Sequence, residues 1–232
     1  MMPFLKRDRF AQQQPKGLYT VRSIYFDTPG FEMYHTKIEG IAHRMKVRLR
    51  GYNIGDDNAT VFMEIKRKYE GPILKNRSDA SFGLVKQLFN HASFEDCLPH
   101  IHNPDNARRF FYQILSQNLQ PVINVIYERE PFQANTLNVE NDFRCTFDLH
   151  LRSVAYPKVE DLYKEEMVQY AYPGFFILEV KFNNFCPAWV KPVMEDFQLR
   201  KEPASKYVGA INCNPFINVM RHNDVFAKSQ FG

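Results

Sequence analysis

The sequence predicts an α+β fold dominated by antiparallel strands. The segment His43–Tyr52 alternates basic and apolar residues, which is the period of a strand with two unlike faces. Further segments share this alternation and end at turn-forming Gly, Pro, Asn or Asp residues. In the first half of the chain, only Pro104–Asn118 has convincing helical spacing of its apolar residues.

The predicted elements follow one another in a single domain over residues 18–214. An irregular lead-in (1–17) precedes this domain and a weakly patterned tail (215–232) follows it. The predicted strands are Leu18–Asp27, His43–Tyr52, Thr60–Lys68, Val122–Glu130, Asp142–Leu151 and Phe175–Phe182. Pro131 is expected to end the fourth strand. The predicted helices are Ser81–Asn90, Pro104–Asn118 and Pro187–Phe197.

Several predicted strands carry charge on one face only. In His43–Tyr52 that face holds Arg44, Lys46, Arg48 and Arg50. Like charges in a row repel one another, so such a face needs either open water or an anion. Two other strands add a glutamate and a lysine each, and these pairs are Glu64 with Lys66 and Glu179 with Lys181.

The alternation alone does not separate a sandwich with charged outer faces from a closed barrel with a charged lumen. Two features favour the barrel. The apolar faces need a covering layer, which the helices can supply, and the basic faces contain single glutamates where a solvated face would mix signs freely. The expected architecture is therefore an antiparallel β-barrel with helices packed outside.

Composition limits the remaining possibilities. The net charge is only +4, so any strongly basic region must be local. The four cysteines have no zinc-site spacing and indicate a reducing compartment, which we take to be the cytoplasm. Because no apolar run reaches about 18 residues, a membrane tie would have to come through a partner protein.

An enclosed row of Arg and Lys side chains fits a strongly anionic ligand. Arginine binds phosphate bidentately and lysine binds it as a point charge. A glutamate among these cations would repel phosphate unless it held a divalent metal that also bridged to phosphate oxygens. A polyphosphate or a nucleoside triphosphate is the expected ligand. Nucleic acid is disfavoured, because no aromatic stacking platform is interleaved with the cations.

Five motifs in order make the chain similar to the VTC domain, the polyphosphate-polymerase domain of vacuolar transporter chaperone complexes. They are VRSIYFDTP from Val21, KVRLRGY from Lys46, MEIKRK from Met63, LEVKF from Leu178 and SKY from Ser205. The VTC domain belongs to the triphosphate tunnel metalloenzymes, so the resemblance implies a triphosphate-tunnel barrel with a basic lumen and Mn²⁺ or Mg²⁺.

The resemblance also implies roles for particular residues. Arg48, Arg50, Lys66 and Lys181 match catalytic positions. Glu179 matches a metal-binding glutamate, and Glu64 is a second candidate ligand. The implied phosphate-binding residues are Lys37, Arg48, Arg50, Lys66, Arg129, Arg144, Lys181 and Lys206, with Lys37 expected on a strand.

One departure separates this chain from the family pattern. Relatives begin with an ExK-type strand and a helix ahead of the YxVRSxYFD strand, and this strand has no counterpart here. We therefore expect a barrel that lacks its first strand, with one side open.

Two functions follow from this pattern. The first is metal-dependent phosphoryl transfer on a nucleoside triphosphate or polyphosphate, as a polymerase or a triphosphatase. The second is a non-catalytic module that binds polyphosphate or another anion, with RNA less expected than polyphosphate. The alternative for each charged strand is a solvated face or an ordinary cross-strand ion pair. Asp27, which precedes Thr28-Pro29, is interpreted as a turn former.

Overall fold

A computed structural model describes residues 4–90, 92–135, 142–183 and 185–219. The predicted tail at 215–232 therefore lies mostly outside the described residues. The strands are β1 (Leu5–Arg7), β2 (Tyr19–Asp27), β3 (Arg44–Tyr52), β4 (Thr60–Lys68), β5 (Ile73–Ser81), β6 (Gln120–Ala134), β7 (Arg144–Ala155), β8 (Gln169–Tyr170) and β9 (Ile177–Lys181). The helices are α1 (Arg9–Gln12), α2 (Glu32–Ile38), α3 (Phe82–Phe89), α4 (Phe94–Cys97), α5 (Pro104–Ser116), α6 (Val190–Asp196) and α7 (Lys206–Cys213).

The described strands form one antiparallel sheet, which confirms the α+β class. Their order is β5-β4-β3-β2-β6-β7-β8, with β1 paired to β6 and β9 paired to β7. The sheet curls into a half-barrel. Within the described ranges β5 pairs with neither β8 nor β9, so the sheet is not closed there as the predicted barrel requires.

The main hydrophobic core lies between one side of this sheet and the helices. Alternate apolar residues of β2, β3 and β4, among them Phe26, Leu49 and Met63, pack against α3 and α5. The helical spacing predicted for α5 places Ala107 and Phe110 in this core. The apolar faces therefore have their covering layer, and the charged faces of the same strands point the other way.

A second core lies on the other side of the sheet, beneath α7. Here Tyr207, Val208 and Ile211 pack against residues of β2 and β6 such as Val21 and Val125. Because α7 sits on the side that carries the charged residues, it covers the middle of the sheet and leaves charged regions on both flanks.

The structure differs from the sequence prediction near the N-terminus and in β6. The lead-in, predicted to be irregular, contains β1, in which the buried Leu5 lies opposite Ala134. It also contains α1, whose N-terminus is capped by the Asp8 carboxylate. Pro131 does not end β6. It lies between the pairing with β2, which ends at Arg129, and the pairing with β1, which begins at Phe132, so its missing N–H interrupts neither register.

None of the described helices is long and apolar enough to cross a membrane. All four cysteines are free thiols, with Cys97 and Cys145 buried. Burial raises the pKa of the Cys145 thiol to about 11, which keeps it protonated and unreactive.

Candidate functional site

The register of the sheet brings the predicted strand residues to one side. Residues directly opposite each other in antiparallel strands point to the same face. Arg48 lies opposite Tyr25 on β2 and Glu64 on β4, and Arg129 on β6 lies opposite Asp148 on β7. We call this side of the sheet the charged face. Its charged residues are Arg44, Lys46, Arg48, Arg50, Glu64, Lys66, Lys68, Lys75, Arg77, Asp79, Arg129, Arg144, Asp148, Glu179 and Lys181.

Two predicted residues reach the site differently. Lys206 lies in the first turn of α7, which packs on the charged face. Lys37, expected on a strand, lies in helix α2 instead. Burial lowers the pKa of Lys46, and the charges of Arg48 and Lys37 add to this effect.

The first cluster surrounds Glu64, whose carboxylate is almost completely buried. Arg48 Nη2 lies 2.6 Å from Glu64 Oε2, and Lys75 Nζ lies 3.0 Å from Oε1. Arg77 and Arg50 stand farther away, at 3.6 and 3.8 Å. Although burial alone raises the pKa of Glu64, Arg48 and Arg50 hold it well below the usual range. One carboxylate therefore faces four cations, and positive charge remains in excess.

The pKa values of two groups next to this cluster reflect the same excess of positive charge. Burial, with Arg48 and Arg50, lowers the pKa of Lys66 to about 8. Tyr25 Oη accepts a hydrogen bond of 2.9 Å from Arg48 Nη1. Burial raises the pKa of Tyr25, but Arg48, Lys46 and Arg50 outweigh it and lower the pKa to about 7. The excess of positive charge thus favours the neutral form of Lys66 and the negatively charged form of Tyr25.

The second cluster joins Asp148 and Glu179 to three cations. Arg129 makes a bidentate pair with Asp148, with N–O distances of 2.7 and 2.9 Å. Lys206 Nζ lies 2.6 Å from Asp148 and 3.8 Å from Glu179, and Lys181 Nζ lies 2.9 Å from Glu179. Burial raises the pKa of Glu179, but Lys181, Lys206 and Arg129 lower it to about 2.

Tyr127 connects the two clusters. Its buried ring lies 5.3 Å from the Arg129 guanidinium and 5.1 Å from Lys206 Nζ. Burial raises the pKa of Tyr127, and the charges of Arg50 and Arg129 act against this rise. Tyr127 therefore lies between the two clusters, which flank α7 on the same side of the sheet.

The site is uneven in its exposure. The side chains of Arg48 and Lys206 are 8 % and 15 % exposed, whereas that of Lys181 is 65 % exposed. Arg144, opposite Lys181, is also exposed. The buried end is the better place for strong charge-assisted contacts, because solvent screens the exposed end.

The two predicted metal ligands have different surroundings. Both oxygens of Glu64 contact cations, which favours a role as counter-ion. Glu179 is 36 % exposed, and its Oε2 lies 3.5 Å from Arg129 and 3.8 Å from Lys206, longer than hydrogen bonds. Among the described residues no three His, Cys, Asp or Glu side chains cluster closely enough to hold a metal. Glu179 fits Mg²⁺ or Mn²⁺ only in the mode where one or two carboxylates share the ion with substrate phosphates.

Several residues of the site were not predicted. Asp148 shares its strand face with Arg144, and this alternation was visible in the sequence. Lys75 and Arg77 alternate on β5, and the Arg77 guanidinium stacks 3.7 Å from the Phe62 ring. Tyr25 carries no signal of its own, because its importance comes from the cations that surround it in three dimensions.

The fold and this site define a half-barrel domain with a cationic face on one side of its sheet. The family model of the VTC domain matches residues 2–214, nearly the whole chain. The chain therefore belongs to the VTC domain family, whose fold is of the tunnel-metalloenzyme type. No curated protein sequence matches the chain at a significant level.

Proposed function

We propose that this protein is a polyphosphate polymerase-like phosphotransferase that binds a nucleoside triphosphate and a polyphosphate chain on its charged face. VTC family membership supports a polyphosphate-related function. The observation that carries the proposal is the convergence of cations from separate strands and from α7 on one side of the sheet.

The excess of positive charge is the physical reason for a polyanionic ligand. Cations that are partly removed from water are costly unless anions compensate them. Around Glu64 one carboxylate compensates for four cations, so further negative charge is stabilising there. Arg48 and Arg129 are already oriented by carboxylates, so little side-chain ordering is needed when phosphate oxygens approach.

The length of the site favours an extended ligand over a single phosphate. Neighbouring strands lie about 4.8 Å apart. Arg48 on β3 and Arg129 on β6 are separated by two strand spacings across the sheet, about 10 Å, and by six residues along β2, about 20 Å, because Arg48 lies opposite Tyr25 and Arg129 opposite Tyr19. Further cations lie beyond each of them. A linear polyphosphate can contact all of these groups at once. We also propose that the domain encloses such a chain in a tunnel when it is bound.

The residues of the site can position phosphoryl groups for in-line transfer. Arg48, Arg50 and Lys66 would bind the oxygens of the transferred group, and Arg129 and Lys206 would bind the neighbouring phosphates. Glu179 would share Mg²⁺ or Mn²⁺ with the phosphates. Such an ion, when bound, neutralises charge that develops on the phosphoryl oxygens. Water instead of phosphate as the nucleophile would make the protein a triphosphatase.

Incubation with ATP and Mn²⁺, followed by gel detection of polyphosphate, tests the catalytic proposal. We expect polyphosphate to accumulate with the wild type, and Glu179→Gln to abolish this while some polyphosphate binding remains. Glu195→Gln, at an exposed carboxylate in α6, is the matched control and should be fully active. Unchanged turnover of Glu179→Gln would remove the metal assignment.

The second candidate function is a module that holds polyphosphate without chemistry. It is favoured by the cations that already pair Glu179, which a metal would have to displace or share. Filter binding with polyphosphate, single-stranded RNA and ATP separates the possibilities. Binding of polyphosphate without any turnover of ATP supports the module. Tighter binding of RNA would contradict both candidates. Cytoplasmic location, and a membrane tie through a partner, stay predictions.

A further inference from the structure

Two motif residues, Asp27 and Tyr207, have no role yet in the proposed phosphate site. Asp27 ends β2 and is completely buried, and Tyr207 lies in the first turn of α7 and is 1 % exposed. The Tyr207 hydroxyl donates a hydrogen bond to Asp27 Oδ2. The end of the YFD motif and the end of the SKY motif are therefore joined across 180 residues of sequence.

Asp27 is itself held firmly. Its carboxylate accepts hydrogen bonds from the backbone N–H groups of Thr28, Met33 and Tyr34, at 2.8 to 3.0 Å. The first of these is the turn contact that the sequence predicted, and the other two fix the start of α2. Asp27 is thus an acceptor anchored to β2 and α2, and it gives Tyr207 a fixed point of attachment.

The residues next to Tyr207 bring α7 onto the charged face. Lys206 Nζ reaches Asp148, and Ser205 Oγ accepts a hydrogen bond of 3.0 Å from Lys46 Nζ. Ser205 also caps the helix through the Val208 N–H. Helix α7 has only eight residues, and Lys206 and Tyr207 are its first two. A contact that fixes Tyr207 therefore also fixes the backbone position of Lys206. The Tyr207 ring, stacked 5.0 Å from Tyr25, adds packing to the same turn.

We propose that Asp27 and Tyr207 are positioning residues whose hydrogen bond holds Lys206 in the phosphate site. This inference rests on the proposed function for its effect on ligand binding, but the position of Lys206 can be tested without a ligand. Tyr207 contacts none of the cations that we assign to phosphate, although its ring stacks on Tyr25, which bonds Arg48. Removing only the Tyr207 hydroxyl leaves this stacking in place, so we expect the effect of that change to pass through Lys206.

The test uses Tyr207→Phe, which keeps the ring and removes only the hydroxyl. The matched control is Tyr34→Phe, which removes the 2.6 Å hydrogen bond from Tyr34 Oη to Asn212. This bond also joins α2 to α7, but at the exposed C-terminal end of α7, away from Lys206. Asp27→Asn is a second variant that serves if Tyr207→Phe folds poorly by circular dichroism.

The first measurement is the rate of reductive methylation of Lys206, followed by mass spectrometry on the full chain without ligand. In the wild type Lys206 is 15 % exposed and paired with Asp148, so it should react slowly. We expect at least a fivefold faster reaction in Tyr207→Phe and a rate within twofold of the wild type in Tyr34→Phe. An unchanged rate in Tyr207→Phe, or an equal increase in both variants, overturns the inference even if the protein binds no polyphosphate.

The second measurement is a double-mutant cycle on polyphosphate affinity. We expect Tyr207→Phe to weaken binding about fivefold in the wild-type background and less than twofold in a Lys206→Met background. Equal losses in both backgrounds would show that Tyr207 does not act through Lys206. A wild type without polyphosphate affinity refutes the proposed function, and the methylation rates then decide the positioning role separately.

Discussion

Removing the negative charge of Glu64 should destabilise the fold and make it responsive to polyphosphate. Glu64→Gln keeps the size of the side chain but leaves four cations without their carboxylate. Breaking a buried ion pair by removing one partner costs about 3–5 kcal/mol. Because the amide oxygen of glutamine can still accept a hydrogen bond from these cations, we expect a loss of about 3 kcal/mol for this variant. A typical domain has only about 5–15 kcal/mol of stability, so the loss should be obvious in a urea titration.

The pH dependence of the unfolding free energy tests the same contribution of the Glu64 charge. The folded-state pKa of Glu64 lies below its unfolded value of about 4.3, so the charged carboxylate stabilises the fold above that pH. This contribution is lost as the pH falls through the folded-state pKa. The difference in unfolding free energy between wild type and Glu64→Gln should therefore be full at pH 7 and narrow below about pH 4.

Polyphosphate should recover more stability in this variant than in the wild type, because it supplies the missing negative charge. We expect about tenfold tighter binding, which corresponds to about 1.4 kcal/mol. The matched control is Glu165→Gln on the opposite side of the sheet, where Glu165 pairs with Arg22 at 2.6 Å and Arg152 at 2.7 Å. It should lose stability without a gain from polyphosphate. A Glu64→Gln variant as stable as the wild type, or equal recovery of both variants, would refute this reasoning.

Further predictions concern the cations of the charged face. Because the pKa of Lys66 is about 8 and that of Tyr25 about 7, both groups lose a proton between pH 6 and 9, and polyphosphate affinity should fall over this range at constant ionic strength. Lys66→Met should remove the upper part of that dependence and Tyr25→Phe the lower part; an unchanged profile in both would contradict the assignment. Lys206→Met should weaken binding by about tenfold and Lys181→Met by less than threefold, as measured by isothermal titration calorimetry, because solvent screens the more exposed Lys181. Equal losses would contradict the difference in exposure.

The strand faces could be predicted from the sequence because a side-chain period of two fixes which residues share a side. Arg48 and Glu64 needed only this rule once their strands were identified. The roles of Arg129 and Glu179 were implied by the family resemblance, and the observed register places both residues on the same side of the sheet as Arg48. The match over residues 2–214 confirms that resemblance.

Contacts between distant segments could not be predicted in this way. Asp27 has the local signal of a turn former, and nothing near it in the sequence indicates a partner as far away as Tyr207. Lys37 lies in a segment whose sequence is compatible with both a helix and a strand. It forms helix α2, which packs against β3, and this tertiary packing favours the helix. Closure of the barrel depends on pairing between edge strands, for which a single sequence has no periodic signal.

The most direct test of the central claim is a map of the lysines that polyphosphate protects from reductive methylation, read residue by residue by mass spectrometry. The shared cationic site predicts strong protection of Lys66, Lys75 and Lys206. Lys164 and Lys191, which pair with acids elsewhere, should react at the same rate with and without polyphosphate. Uniform protection of all these lysines, or protection confined to Lys164 and Lys191, would contradict a phosphate site on the charged face.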